Sequence, residues 1–220
     1  INCIATHEFS KNKQMDDYLN SNMFTMINIL KNFSKNKVKI LNLSTISIFD
    51  LSKFSVLKED CSDVLNNNLS ITKFLGEKIL SLGNKQVINL RLPGVLTLSK
   101  KSLRPWLKNI IAKISNGKNI KLHNSNKKFN SIIDTYEIVR LIDYLLNNKF
   151  VPGTYNLSAN KPITLNKLIS KIKENFKSKT KIYNIGNNNS NVIISNKLIK
   201  EKLGFAPSSV TQIINRYLNA

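Results

Sequence analysis

The chain has 220 residues, enough for one large domain or two small ones, and 41% of them are hydrophobic. It lacks any apolar stretch of the roughly 18 to 20 residues that a membrane-spanning helix needs, so we expect a soluble protein with no membrane partner. The formal net charge of +21 comes mainly from lysines that are dispersed along the chain. Lys, Asn and Ile share A/T-rich codons, so a biased base composition of the gene accounts for the charge. Nucleic acid is therefore not an expected partner.

The two cysteines and the first residues indicate the compartment and the completeness of the chain. Cys3 and Cys61 are far apart and lack CxxC spacing, which favours free thiols in a reducing cytoplasm and no metal site. Residues 1–8 lack an initiator methionine and the zones of a signal peptide. We therefore expect the natural N-terminus to precede Ile1.

The first 95 residues alternate strands with helices, which indicates parallel strands joined by helical crossovers. Residues 16–33 are expected to form a helix with a buried face, and residues 38–43 a short strand that ends at Ser44 and Thr45. The apolar residues of that helix face are Met23, Met26, Ile27 and Leu30.

A second helix is predicted over residues 70–81, with a buried face of Phe74, Leu75 and Ile79. The strand 87–92 follows it and stops at Pro93. In open parallel sheets, ligands bind beyond the carboxyl ends of the strands. Thr45 and Pro93 are therefore candidate site positions before any family is considered.

The second half is less regular and indicates a smaller lobe. We predict a first domain over residues 1–97 and a mainly substrate-binding lobe over 98–220, with some segments returning to the first domain. Thr164 is the expected N-cap of a helix there. The predicted helices are 103–114, 138–146, 165–176, 197–203 and 210–218, and the predicted strands are 120–122, 153–157 and 181–185.

Short segments in the same order resemble the NAD-dependent epimerase/dehydratase family, extended short-chain dehydrogenases that act on nucleotide sugars. Residues 1–6 look like the family's fourth strand. The other similar segments, with the family pattern after each, are 22–30 (N-x-x-G-T-x-N-L-L), 43–49 (S-S-x-x-V-Y), 69–77 (Y-x-x-S-K-x-x-G-E), 91–95 (R-x-P-x-V), 129–137 (ending in Asp-Asp), 153–157 (G-x-x-Y-N-I) and 202–207 (L-G-W-x-P).

The resemblance implies an α/β fold with a Rossmann-like, doubly wound parallel sheet, a smaller C-terminal α/β lobe, and NAD or NADP as cofactor. In the family a glycine-rich loop lets backbone amides approach the cofactor pyrophosphate. The seven glycines here are scattered. Either the first strands and their loop precede Ile1, which we favour, or the protein lacks the loop.

The same resemblance places Thr45 as the hydroxyl that polarises the substrate and Lys73 as the catalytic lysine. The family's tyrosine, which exchanges the substrate proton, is replaced by Leu69. A leucine cannot exchange a proton. Either catalysis is lost or weakened, or the substrate or water compensates.

The resemblance also assigns binding residues. Ala5, Asn22, Lys73 and Pro93 are expected at the cofactor. Thr45, Arg104 and Asn130 are expected at the substrate, with Asn130 at the position of a family arginine that contacts the phosphates and Lys127 or Lys128 as substitutes for it. By analogy, the helices of Asn22 and Lys73 could pair in a homodimer.

The expected function is an NAD(P)-dependent epimerase or reductase of a nucleotide sugar. Dehydration is disfavoured because Ile46 and Ser47 replace the Asp-Glu pair of dehydratases of this family. The alternatives are a non-catalytic protein that binds a dinucleotide or sugar nucleotide and, more remotely, a basic nucleic-acid-binding protein.

Overall fold

The computed structural model describes residues 1–6, 13–33, 38–61, 63–97, 105–186 and 192–219. The helices are α1 (Met15–Leu19), α2 (Thr25–Phe33), α3 (Asn68–Gly83), α4 (Pro105–Ser115), α5 (Thr135–Asn147), α6 (Leu165–Asn175), α7 (Lys197–Leu203) and α8 (Val210–Asn219). The strands are β1 (Ile40–Thr45), β2 (Val56–Leu57), β3 (Val87–Leu92), β4 (Gly94–Leu96), β5 (Ile120–Leu122), β6 (Lys128–Phe129), β7 (Ile132–Asp134), β8 (Gly153–Asn156), β9 (Ile163–Thr164), β10 (Ile182–Asn184) and β11 (Ile193–Ile194).

The central sheet is parallel, with the strand order β1-β3-β8. Thr45 pairs with Leu92 at the carboxyl ends of β1 and β3. On the other side of β1, Asn2 forms a parallel bridge with Asn42. The α/β fold with a parallel sheet is therefore confirmed, and Thr45 and Pro93 follow neighbouring strand ends at one edge, as predicted.

Helices cover both faces of this sheet. Successive strand residues point to opposite faces, and each face contributes apolar side chains to a different cluster. Ile40 and Val87 pack with Met26 of α2 and Leu80 of α3. The opposite face contributes to the main core, whose buried members include Leu41, Ile88 and Leu90 from the sheet and Leu141 and Leu145 from α5. The doubly wound arrangement follows from this alternation.

Helix α3 has the predicted place in the chain but not the predicted buried face. Leu75 is 41% exposed, and Phe74 is only partly buried. Instead, Lys73 and Glu77 are buried against β1 and β3. The other buried residues of α3 are Leu69, Ser70, Thr72, Gly76 and Leu80. The prediction was wrong for Leu75, whereas Phe74 and Ile79 pack, partly buried, against apolar clusters. Counting apolar side chains missed Lys73 and Glu77, whose polar groups have partners in the sheet.

A ladder of three asparagine side chains crosses the sheet beneath α3. Asn2 Nδ2 donates to Asn42 Oδ1 over 2.8 Å, and Asn42 Nδ2 donates to Asn89 Oδ1 over 2.8 Å. Asn89 Nδ2 then donates to Ser81 Oγ of α3 over 2.9 Å. All three asparagines are buried, so the ladder fixes the register of neighbouring strands.

The helix predicted over 16–33 is present but contains a π-helical segment, Asn20–Phe24, between α1 and α2. Of its four predicted core residues, Met26 is fully buried and the other three are partly buried. Asn22, in the π segment, is also buried. Extra turns of this kind occur often at functional sites.

The second half of the chain supplies β8 to the central sheet and builds a lobe of two-stranded pairs around α4 and α6. Thr164 is the N-cap of α6, as predicted, and its Oγ1 accepts from Lys167 N over 3.2 Å. Residues 98–104 lie outside the described ranges. The division of the chain at residue 97 therefore stays a prediction.

An ionic cluster of buried carboxylates and partly exposed arginines joins α5 to α8. Arg216 donates to Asp134 over 2.8 Å and to Glu137 over 3.1 Å. Ser208 Oγ and Arg140 also donate to Glu137, each over 2.6 Å.

Among the described helices, none is long and apolar enough to span a membrane.

Candidate functional site

Thr45 ends β1 and begins a 3-10 turn, Ile46–Ile48. Its Oγ1 accepts a hydrogen bond from Ser47 N over 3.1 Å. This contact uses the oxygen as an acceptor and leaves the hydroxyl hydrogen to be donated elsewhere. Since Thr45 is only half-buried, its hydroxyl can polarise a bound oxygen at the sheet edge.

Lys73 of α3 lies against the same strand. Its Nζ donates to the carbonyl oxygen of Leu43 over 3.0 Å. In a regular parallel ladder that carbonyl would accept from Ile4 N, but Ile4 N donates to Asn2 Oδ1 instead. The N-terminal segment leaves the sheet at this point, and the Lys73 amine takes its place as donor.

Burial lowers the pKa of Lys73 below its ordinary value, while the charges of Glu77 and Cys3 act in the opposite direction. The side chain is only 5% exposed. Removing an ammonium group from water disfavours its charged form. The site therefore combines the buried amine of Lys73, which contacts the carbonyl of Leu43, with the hydroxyl of Thr45, two residues further along β1.

Leu69 lies one helical turn before Lys73 and is 7% exposed. It occupies the position of the expected tyrosine. The nearby hydroxyls of Ser70 and Thr72 donate to the backbone carbonyls of Ser47 and Asn68. Residues 69–72 of α3 and residues 45–47 therefore contain no phenol, carboxylate or imidazole that could exchange a proton beside Thr45.

Asn22 connects three parts of the site framework rather than presenting a free amide. Its side chain accepts from Thr6 N and donates to Thr6 O, each over 3.1 Å, and it also donates to Thr72 Oγ1 over 3.1 Å. Ala5, next to Thr6, is exposed. Asn22 holds the end of the N-terminal segment, and direct contacts of Ala5 and Asn22 with a cofactor stay predictions.

Arg91 and Glu77 form a buried ion pair behind the site. Arg91 Nη2 is 2.8 Å from Glu77 Oε2, and its Nε contacts both carboxylate oxygens. Arg91 also stacks on Phe49 and donates to Glu59 O. This pair attaches α3 to β3, just before the buried Pro93, whose contact with a cofactor stays a prediction.

A cleft of about 340 Å³ lies between the two halves of the chain. Its walls are mainly apolar, and neither Thr45 nor Lys73 lines it. Two of its residues, Leu51 and Val192, pack against the same apolar cluster as Ile46, which follows Thr45. The lining residues are Leu51, Ser52, Trp106, Lys127, Lys128, Phe129, Ser131, Leu165, Val192 and Ile194.

The substrate-binding candidates differ in their relation to this cleft. Asn130 does not line it, because its side chain donates to Ser158, Ala159 and Ile194 and accepts from Ile194 N. Lys127 and Lys128, the predicted substitutes, do line it. Arg104 lies outside the described residues, so its role stays a prediction.

The sequence analysis did not identify the structural role of Glu59. Glu59 Oε1 accepts from Asn156 N over 3.0 Å, so it joins β8 to the loop after β2. Burial raises the pKa of Glu59 above its ordinary value, against the hydrogen bond from Asn156. Only the position of Glu59, two residues after an apolar strand, could have indicated this.

No protein-family model matches the sequence, and no curated protein matches it either. Solved structures with the same fold were found. The chain is similar to dTDP-4-dehydrorhamnose reductase from Bacillus anthracis in complex with NADP, with a TM-score of 0.78 and 15% identity over 99% of this chain and 77% of that one.

Two enzymes from Bacillus cereus have similar structures. UDP-glucuronic acid 4-epimerase in complex with NAD has a TM-score of 0.76 and 15% identity, over 99% of this chain and 72% of that one. UDP-N-acetylglucosamine 4-epimerase has a TM-score of 0.75 and 17% identity, over 98% of this chain and 76% of that one. These likenesses confirm the Rossmann-like fold that the sequence resemblance implied.

Proposed function

We propose that the chain belongs to an NAD(P)-dependent epimerase or reductase that acts on a nucleotide sugar. The observation that carries the proposal is the contact of Lys73 Nζ with Leu43 O at 3.0 Å. It places a buried amine beside the carboxyl end of β1, where Thr45 presents a hydroxyl. Ligands of open parallel sheets bind at this edge.

The residues present fit the nicotinamide end of a dinucleotide. Among the described residues, Leu43 O is the one acceptor that Lys73 uses, so further N–H groups can contact ribose hydroxyls. Such a cofactor would supply hydride transfer at a sugar carbon. Of the solved enzymes named above, the UDP-glucuronic acid 4-epimerase was bound to NAD and the dTDP-4-dehydrorhamnose reductase to NADP, which supports either dinucleotide.

The cleft supports a nucleotide sugar as substrate. Trp106, which meets Phe129 edge to face, offers an aromatic wall for a base. Lys127 and Lys128 supply cations for a diphosphate. The two Bacillus cereus enzymes act on UDP-sugars by their names, and a uridine diphosphate sugar is therefore the first substrate to test.

A second candidate function is binding of the dinucleotide or sugar nucleotide without turnover. The buried Leu69 favours it, because the usual proton-exchanging phenol is absent. The two candidates differ in one property, which is the formation of product from a bound ligand.

The proposal includes a homodimer and a cytoplasmic location. Helices α2 and α3 and the π segment before α2 expose Phe24, Phe33, Leu75 and Leu82, of which Leu82 is 87% exposed. A second copy could cover these side chains. Light scattering after size-exclusion chromatography tests the dimer. A monomer at micromolar concentration would contradict it.

The free thiols of Cys3 and Cys61 support the proposed location, because the cytoplasm is a reducing compartment.

The test combines binding and turnover. Calorimetry with NAD, NADP and UDP measures binding, and chromatography of UDP-glucuronic acid and UDP-N-acetylglucosamine incubated with cofactor measures product. Binding with product supports the enzyme. Binding without product supports the second candidate, and absence of binding to all three ligands contradicts both.

A further inference from the structure

The amine of Lys73 has an unusual setting for a lysine in a strongly basic chain. It is buried, and it forms no ion pair with any described residue. Its hydrogen bond to Leu43 O uses one of its three donors when it is charged. Because a neutral amine can still donate that bond, the contact does not require the ammonium form.

Among the described residues, two charged or titratable groups act on Lys73, and neither forms an ion pair with it. Glu77 lies one turn further along α3, but its carboxylate is paired with the buried Arg91. Cys3 lies on the exposed N-terminal segment. The apolar Leu69 lies one turn before Lys73 and contributes no charge. The surroundings therefore offset little of the cost of burying an ammonium group.

Among the described side chains of β1 and α3 beside Thr45, Lys73 is a group that can exchange a proton. Leu69 cannot ionise, and the hydroxyls of Ser70 and Thr72 donate to the backbone. Thr45 accepts from Ser47 N and so can donate to a substrate oxygen, but a threonine hydroxyl is a poor base at neutral pH. A buried amine can act as a base.

We propose that Lys73 is the acid–base residue of this site, in place of the missing tyrosine. The inference rests on the proposed function. In oxidation, the neutral amine takes the proton of the substrate hydroxyl and becomes an ammonium. The carbon–hydrogen bond breaks, its electron pair leaves as hydride to the oxidised nicotinamide, and the carbon–oxygen single bond becomes a carbonyl. In reduction, the ammonium returns the proton.

The first test needs neither cofactor nor substituted protein. Trace acetylation of the whole chain over a range of pH, measured for each lysine by mass spectrometry, gives the pH at which each amine loses its proton. Lys78 is the internal control, because it lies on the same helix and is exposed. We expect the midpoint of Lys73 to lie below that of Lys78, because burial disfavours the ammonium form. Coincident midpoints would overturn the proposal.

The second test uses Lys73→Arg, which keeps N–H donors for the cofactor but cannot lose its proton. We expect the variant to bind the dinucleotide, and its turnover of a UDP-sugar to fall about a hundredfold or more. In the wild type, turnover should rise with pH through the midpoint found by acetylation. Turnover of Lys73→Arg within twofold of the wild type overturns the proposal.

Failure of the proposed function and failure of the proposed role of Lys73 would give different results. If the wild type binds no dinucleotide, the proposed function fails, while acetylation still decides whether Lys73 is neutral. If the wild type binds both ligands but forms no product, the role of Lys73 as acid and base is overturned and the binding function stands.

Discussion

The amine of Lys73 is 3.0 Å from the carbonyl oxygen of Leu43, so helix α3 is attached to the end of β1 through a residue of the candidate site. Further polar contacts hold the same helix over the sheet, from Glu77 to Arg91 and from Ser81 to Asn89. A helix held by directional contacts of this kind positions its side chains more strictly than an apolar face alone.

Leu69→Tyr should restore a phenol one turn before Lys73. We expect faster formation of reduced nicotinamide from a UDP-sugar, by about a hundredfold or more, because a phenol beside an ammonium is a competent acid and base. Leu69→Phe is the matched control, since it fills nearly the same space without the hydroxyl. Equal rates for the two variants would show that the phenol adds nothing here.

Gly76→Ala should loosen the contact between α3 and the π segment. A Cβ at this position would collide with the carbonyl oxygen of Asn22, which is backbone and cannot rotate away. We expect a loss of about 1–3 kcal/mol in the free energy of unfolding, measured in urea. Gly83→Ala is the control, because its Cβ meets only the flexible side chain of Leu30, and a similar loss there would refute the argument.

Glu137 should make stability depend on acid pH. Burial alone would raise its pKa, but hydrogen bonds from Arg140 and Ser208 outweigh burial and hold the pKa below the ordinary value of 4.5. A carboxyl with a lowered pKa stabilises the fold above that ordinary value, and the contribution is lost as the pH falls through its folded pKa.

Glu137→Gln should therefore cost about 2 kcal/mol at neutral pH and progressively less in acid, as measured by urea unfolding. Glu201→Gln is the control, because its pair with Lys197 is exposed and should contribute almost nothing. A cost of Glu137→Gln that does not change between neutral and acid pH would exclude this role for the carboxylate.

Asn42→Leu should break the asparagine ladder at its centre. It leaves a donor of Asn2 and an acceptor of Asn89 buried without their partner, and we expect a loss of about 2–4 kcal/mol in urea unfolding. Replacing Asn2, Asn42 and Asn89 together by leucine should recover part of that loss. A triple variant less stable than Asn42→Leu would contradict the explanation.

The strands of the central sheet could be predicted from the sequence, because their apolar runs end at clear stop signals. Residues 87–92 form β3 as predicted, and the predicted strand 38–43 corresponds to β1, Ile40–Thr45. Parallel order then placed Thr45 and Pro93 at one edge. These predictions succeeded because each depends on local patterns and on one rule of topology.

The buried polar groups could not be predicted in the same way. Lys73 and Glu77 are long polar side chains, and their burial depends on partners in the sheet. Asn42 and Asn89 belong to a sequence in which asparagine is abundant, so composition hides their structural use. Asn130 was placed by alignment to a family position, whereas its amide is used by the backbone around Ile194.

The most direct test of the site is calorimetric titration of the 220-residue chain with NAD and NADP, for the wild type, Lys73→Met and the control Lys78→Met. We predict that the wild type and Lys78→Met bind one of the dinucleotides alike. We also predict that Lys73→Met binds it at least about tenfold more weakly, because the hydrogen bonds from the amine to the cofactor are lost. Equal affinity of Lys73→Met and the wild type, or no binding by the wild type, would contradict a dinucleotide site at Lys73.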